Sequence, residues 1–303
     1  MKIFYSDQFL VPLPVSHRFP MPKYAQLHQA VVQARLPGVI LSPAGAASDD
    51  ALRLVHQPEY VWRMLNGEMS EKEMRRIGFP WSKELVERSR RSVGGTIDAC
   101  RSALQDGLAV NLAGGTHHAY PDHGEGYCVF NDVAVGARVM QQEGRARKIL
   151  ILDCDVHQGN GSAAIFSGDP HVFTFSIHGQ KNFPFHKEAS DLDVGLPDGC
   201  DDACFLGALR PGIEEALHRS KPDLVIYIAG ADPYQDDRLG RMAVSKAGLL
   251  ERDRLVLETC QSLRLPTIIV MGGGYARQVQ DTVEIHLQTI RLAAFLAAGL
   301  SLA

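Results

Sequence analysis

The sequence predicts an α/β protein built on a mostly parallel sheet with helices on both faces. Two observations carry that prediction. The strand candidates are unbroken aliphatic runs, such as Ile149-Leu150-Ile151-Leu152, as strands buried on both faces require. They alternate along the chain with segments whose apolar residues recur at the helical period.

Taken in order, Lys2 to Tyr5 reads as a short strand. Residues 11–22 hold Pro12, Pro14, Pro20 and Pro22, which forbid regular structure and imply an ordered loop. Residues 23–35 read as a helix stopped by Pro37, and Gly38 to Leu41 as a short strand. Asp49 to Leu54 reads as a short helix, followed by a polar stretch to Gly78. Ser82 can cap a helix running to Asp106 with Gly107 just past its end. Its apolar stripe is Leu85, Val93, Ile97, Cys100 and Leu104. Leu108 to Leu112 is a strand, Asn131 to Glu143 a helix closed by Gly144, and Ile149 to Asp153 the most strongly marked strand. Val172 to Ile177 is another strand, and residues 179–200 read as a long polar loop. The helix over 202–219 contains Pro211, which is expected to kink or split it. Leu224 to Ala229 is a strand, Ser245 caps a helix to Leu263, Thr267 to Met271 is the last strand, and a helix from Arg277 to Ala298 follows. No repeat, linker or low-complexity segment interrupts the 303 residues, so one domain over 1–303 is expected.

Composition narrows the function. With 45% hydrophobic and 22% charged residues the chain is ordinary soluble globular protein. A net charge of −4 argues against direct nucleic-acid binding by phosphate neutralisation. No run is apolar enough for a membrane span, and Met1-Lys2-Ile3-Phe4-Tyr5 does not open a signal peptide. The six cysteines form no C-x-x-C pair; they read as reduced, mostly buried thiols, consistent with a cytoplasmic location.

Four strand tips carry unusual residues: Ala113-Gly114-Gly115-Thr116-His117-His118, Asp153-Cys154-Asp155-Val156-His157, Gly230-Ala231-Asp232, and Gly272-Gly273-Gly274-Tyr275. Ligand sites of open parallel sheets form at the carboxyl ends of strands, so these tips can share one pocket. Asp153, Asp155 and His157 alternate, and extended backbone would point them to one side. Carboxylates and an imidazole converging on one point repel or desolvate badly unless a cation lies among them. Asp155, His157 and Asp232 are therefore candidate ligands of a catalytic zinc with an open position, with Fe²⁺ or Mn²⁺ as alternatives for so hard a donor set. His117 and His118 are candidates for general base and acid, and Tyr275 for donation to a developing oxyanion. A dinuclear site would need further carboxylates two residues past His157 and Asp232, where Gly159 and Tyr234 stand.

Together with Gln158-Gly159-Asn160-Gly161 and Asp237-Arg238-Leu239-Gly240, these segments resemble the signatures of the histone deacetylase superfamily, most closely its class IV branch and bacterial relatives. The resemblance covers roughly residues 3–295. It implies a single-domain, three-layer arginase/deacetylase fold, normally of eight strands, and hydrolysis of linear amides. It assigns zinc to Asp155, His157 and Asp232, the catalytic histidines to His117 and His118, and carbonyl polarisation to Tyr275. It gives Asp153 the task of orienting His117. It also implies a structural potassium ion on Asp153, Asp155, His157, Ser176 and Ile177, and a second near Phe166 and Val172, where Asp169 departs from the usual threonine. Gly126, Tyr127 and Phe183 match the walls of the acyl tunnel. Asn160 stands where many zinc-dependent deacetylases have an aspartate behind the second histidine, so His118 is expected to have a lower pKa than beside a carboxylate. No rim aspartate is identifiable; Glu59, Asn66 and Glu68 are nearby candidates. The expected substrate is an acylated lysine in a peptide or protein. A small-molecule amide, such as an acetylated polyamine, and a catalytically silent metal-binding role are the alternatives.

Overall fold

The computed structural model describes residues 1–9, 11–14 and 17–299. Positions 15 and 16 of the proline-rich segment and the last four residues of the expected domain lie outside the described residues. In chain order the elements are β1 (Lys2–Tyr5), α1 (Lys23–Ala34), β2 (Ile40–Pro43), α2 (Asp49–Arg53), α3 (Pro58–Asn66), α4 (Glu71–Ile77), α5 (Lys83–Asp106), β3 (Leu108–Asn111) and α6 (Asp132–Gln142). Then come β4 (Ile149–Asp153), α7 (Asn160–Phe166), β5 (Val172–Gly179), β6 (Leu192–Leu196), α8 (Asp202–Ser220), β7 (Leu224–Ile228), α9 (Lys246–Ser262), β8 (Thr267–Val270) and α10 (Val279–Ala297). The strands form one eight-stranded sheet in the order β2-β1-β3-β8-β7-β4-β5-β6. Every pairing is parallel.

Alternation along the strands builds three layers. Ile149 and Ile151 face one core with Ile97 and Cys100 of α5 and Val133 and Met140 of α6. Leu150 and Leu152 face the other, with Phe205 and Leu209 of α8, Val256 of α9 and Ile285 of α10. Strand side chains reverse face at each residue, so β4 must be apolar throughout to serve both cores. The expected caps Ser82 on α5 and Ser245 on α9 are in place, and Asn131, read as the first residue of its helix, caps α6; each accepts a backbone N–H with the side chain.

Several expectations need correction. The polar stretch before Gly78 forms α3 and α4, the second opened by a capping box between Ser70 and Glu73. The segment 179–200 is not all loop: β6 pairs with β5 along its length, and Leu196 is its one fully buried residue, which explains its weak apolar signal. Helix α8 runs through Pro211 as one element. Pro211 and Gly207, whose carbonyl loses its partner, are both exposed, so water can take the freed group. The cysteines are not all reduced: Cys200 and Cys204 form a disulfide, while the other four are free and buried. Cys200 just precedes α8 and Cys204 lies in its first turn, which brings their α-carbons to 5.5 Å.

Candidate active site

The sheet order places β3, β8, β7 and β4 side by side, so their four C-terminal tips are neighbours. At the β3 tip the buried Asp132 carboxylate accepts the N–H groups of Gly115 (3.2 Å) and Thr116 (2.7 Å) and the Thr116 hydroxyl (2.6 Å). This fixes the turn that delivers the two histidines. His117 Nδ1 lies 2.6 Å from Asp153 Oδ2, and His118 Nδ1 lies 2.6 Å from Asn160 Oδ1. Their rings are 4.1 Å apart and both are buried.

At the β4 tip the chain turns through carboxylate-to-backbone bonds. Asp153 Oδ1 accepts the Asp155 N–H and Asp155 Oδ1 accepts the His157 N–H, both at 3.0 Å. Asp232, at the β7 tip, accepts the Val156 N–H at 2.9 Å, and Asp155 Oδ2 accepts the Gly273 N–H at 2.6 Å. His157 Nδ1 is thereby held 3.0 Å from both Asp155 Oδ1 and Asp232 Oδ2. The β-carbon of any other residue at 273 would overlap the Asp232 carboxylate, so Gly273 leaves the room in which the trio meets.

One donor atom from each of Asp155, His157 and Asp232 lies within 4.8 Å of the others. A single ring nitrogen cannot donate fully to two carboxylates, so this buried set draws a positive charge. Burial opposes charging of His157, yet Asp232 and Asp155 outweigh it and raise its pKa to about 10. Burial and the Asp155 charge push Asp232 up to about 7. Against its own burial, Asp155 is held well below the carboxylate range by His117 and His157. One nitrogen and two carboxylate oxygens at this spacing fit a divalent cation.

Tyr275 follows the β8 tip. Its N–H donates to Asp237 Oδ2 at 2.6 Å and its ring stands 6.3 Å from that of His157. Burial, then the charges of Asp232 and Asp155, hold the phenol well above its usual pKa, so it remains a donor. A cavity of about 710 Å³ opens above this group, with His118, His157 and Tyr275 at its base and Tyr127 and Phe183 on its walls. The Phe183 ring meets that of His118 edge-on at 5.0 Å, and the Phe183-Pro184 peptide is cis. Gly126 has φ of +55°, and a β-carbon there would stand 2.8 Å from His118 Cδ2 and 3.0 Å from Phe183 Cε1.

Residues 17–290 match the histone deacetylase domain, a span that contains every candidate site residue. The chain belongs to the histone deacetylase family. It is 47% identical over 287 residues to an uncharacterized protein of Picosynechococcus sp., covering 94% of this chain and 95% of that one. It is 30% identical to histone deacetylase 2 of Arabidopsis thaliana, over 81% of this chain and 66% of the relative. The acetoin utilization protein AcuC of Staphylococcus aureus is 29% identical, over 89% and 75% of the two chains. The solved HD domain of HDA15 superposes with a TM-score of 0.80 over 98% of this chain and 93% of that one, at 20% identity, which speaks to the fold. The chain is thus a histone deacetylase-family hydrolase of arginase-like α/β fold.

Within this deacetylase-family site the residues expected for potassium also come together. Asp153 and Ser176 are register partners across β4 and β5, with Ile177 next along the strand. Near the second expected potassium position, Asp169 is engaged by Arg138 at 2.7 Å and by the His171 N–H. Glu59, Asn66 and Glu68 are exposed, and none lines the mouth of the cavity. Sequence reasoning missed the supports of the site. Asp132, Asp237 and Asn131 hold the loops by backbone contacts. Buried Arg252 donates to the carbonyl of Gly230 and pairs with Asp253 at 2.8 Å. A lone polar residue inside a helical pattern gives no hint of such a partner. Among the described residues no helix is long and apolar enough to cross a membrane.

Proposed function

We propose that the chain is a zinc-dependent amide hydrolase that removes an acyl group, acetyl or longer, from the ε-amine of lysine or a related amine. The observation that carries this reading is the buried convergence of Asp155, His157 and Asp232 beneath two histidines and a phenol at the base of one cavity. Asp155, His157 and Asp232 would hold the metal, with Fe²⁺ the alternative occupant. When bound it supplies Lewis acidity toward the acyl carbonyl and the attacking water.

The chain's own residues supply the rest. His118, kept neutral above all by burial, accepts the proton of the attacking water at Nε2. The Tyr275 hydroxyl donates to the negative charge that develops on the acyl carbonyl oxygen. Burial disfavours a charged His117, but the Asp153 and Asp155 carboxylates overcome it and raise its pKa to about 9. His117, held at Nδ1 by Asp153, helps deliver a proton to the leaving amine. Tyr127 and Phe183 keep water from the acyl chain. The C–N bond breaks, and the products are a carboxylate and a free amine. A structural potassium ion on the Asp153, Ser176 and Ile177 segment would stiffen the loop that carries Asp155 and His157.

The test is product release by the zinc-loaded protein from acetyl-lysine peptides, long-chain acyl-lysine peptides and acetylated polyamines. Release lost in Tyr275→Phe is expected. Turnover of polyamines alone would move the protein to small-molecule hydrolysis. No turnover of any amide by protein with stoichiometric zinc would support the silent metal-binding role.

A further inference from the structure

The mouth of the cavity is far more basic than the chain as a whole. The sequence carries a net charge of −4, yet Arg18, Arg75, Arg76, Lys181, Arg238 and Arg241 all line the opening. All six are exposed. Arg75 has Glu71 at 3.1 Å and Arg241 has Asp198 at 3.6 Å. Among the described residues, Arg18, Arg76, Lys181 and Arg238 have no carboxylate within ion-pair distance. The one acid on the cavity wall, Glu125, faces the His123 ring at 3.7 Å.

Arg238 is also anchored. Its Nε–H donates to the Tyr275 carbonyl at 3.0 Å, and an Nη2–H reaches the Arg18 carbonyl at 3.4 Å. The remaining guanidinium donors are therefore held at the rim with little entropy left to lose. Like charges gathered at a concave mouth focus the field outward and select the charge of what approaches.

Resting on the amide-hydrolase reading, we infer that the substrate presents its acylated amine in an acidic context: carboxylate-bearing residues, or another anionic group, flank the acyl-lysine. A cationic polyamine or a basic peptide tail is the wrong partner for this mouth.

The experiment compares two fluorescent pentapeptides with a central acetyl-lysine, one with two aspartates on each side and one with two arginines on each side. Diacetylated spermidine is a competitor. Binding is read by anisotropy on full-length Tyr275→Phe loaded with zinc, so that affinity is measured without turnover. Hydrolysis is read separately on the parent protein. The acidic peptide is expected to bind about tenfold or more tighter at low salt, with the gap closing at about 0.5 M salt. Arg76→Glu combined with Lys181→Glu should shrink or reverse the preference; neither side chain makes a hydrogen bond among the described residues. Equal affinities, tighter binding of the basic peptide, polyamine competition at equal concentration, or no binding of either peptide would overturn the inference. An acidic preference in binding without hydrolysis by the parent would leave it standing and remove the amide-hydrolase reading instead.

Discussion

Asn160 Oδ1 lies 2.6 Å from His118 Nδ1, and the contact is the inner end of a directed chain. Asn160 Nδ2 donates to the Tyr120 hydroxyl at 3.1 Å, which donates to Glu188 Oε1 at 3.0 Å. Gln158 clamps the Glu188 backbone from both sides, at 2.7 and 3.0 Å. A carboxylate only accepts, so the Tyr120 proton points outward and its lone pair receives the amide. The amide oxygen then faces His118, whose proton sits on Nδ1 and whose Nε2 lone pair faces the cavity. A glutamate at the surface thereby sets the tautomer of a buried base.

Asn160→Asp should move the acidic limb of the pH–rate profile to higher pH. Burial above all holds His118 well below its usual pKa. A carboxylate in place of the amide stabilises the imidazolium and raises that pKa. A base that must be neutral then becomes competent only at higher pH. An acidic limb unchanged in the variant would refute the role of Asn160.

Tyr275→Phe should lower kcat on the order of 10²-fold while leaving folding intact, as for loss of an oxyanion donor. Its hydroxyl makes no hydrogen bond within the described structure that folding would miss. Steady-state kinetics beside a thermal melt decides it. A loss below about threefold removes Tyr275 from the mechanism.

Arg252→Met should destabilise the protein by about 3–5 kcal/mol, since it leaves Asp253 buried and uncompensated. Tyr227 and Thr289 still donate to that carboxylate but carry no charge. Denaturant unfolding of variant and parent measures the difference. A change below about 1 kcal/mol would contradict the assigned role.

His56 makes stability fall with acid. Burial lowers its pKa to about 4, while Nε2 accepts the Asn131 N–H at 2.9 Å and Nδ1 donates to the Tyr120 carbonyl at 2.9 Å. Above pH 6.5 both folded and unfolded states hold it neutral. Between about pH 6.5 and 4 the unfolded chain takes up a proton that the folded one refuses, which costs about 3 kcal/mol by pH 4. His56→Gln removes this term, so its stability should fall less than the parent's over that range. Parallel pH dependences would show that His56 is not the titrating group.

Short-range pattern made much of this protein legible from its sequence. Ile149–Asp153 has to be a central strand because nothing but a two-faced core accepts its aliphatic run. Ser82 and Gly107 bracket α5 because backbone groups at helix ends need these particular partners. Alternation and strand ends marked Asp155, His157, Asp232, His117, His118 and Tyr275 as neighbours, and the sheet order made their strand tips adjacent. Tertiary structure decided what depends on contacts between distant segments. Glu188 meets Tyr120 across 68 positions, Arg252 meets the Gly230 carbonyl across 22, and Arg18 and Arg238 share one rim although 220 residues separate them. Pairing with β5 alone gave the weakly apolar β6 its form, and the first turn of α8 brought Cys200 to Cys204. A residue's own chemistry states what partner it needs, but only the folded chain supplies that partner when it lies on another element.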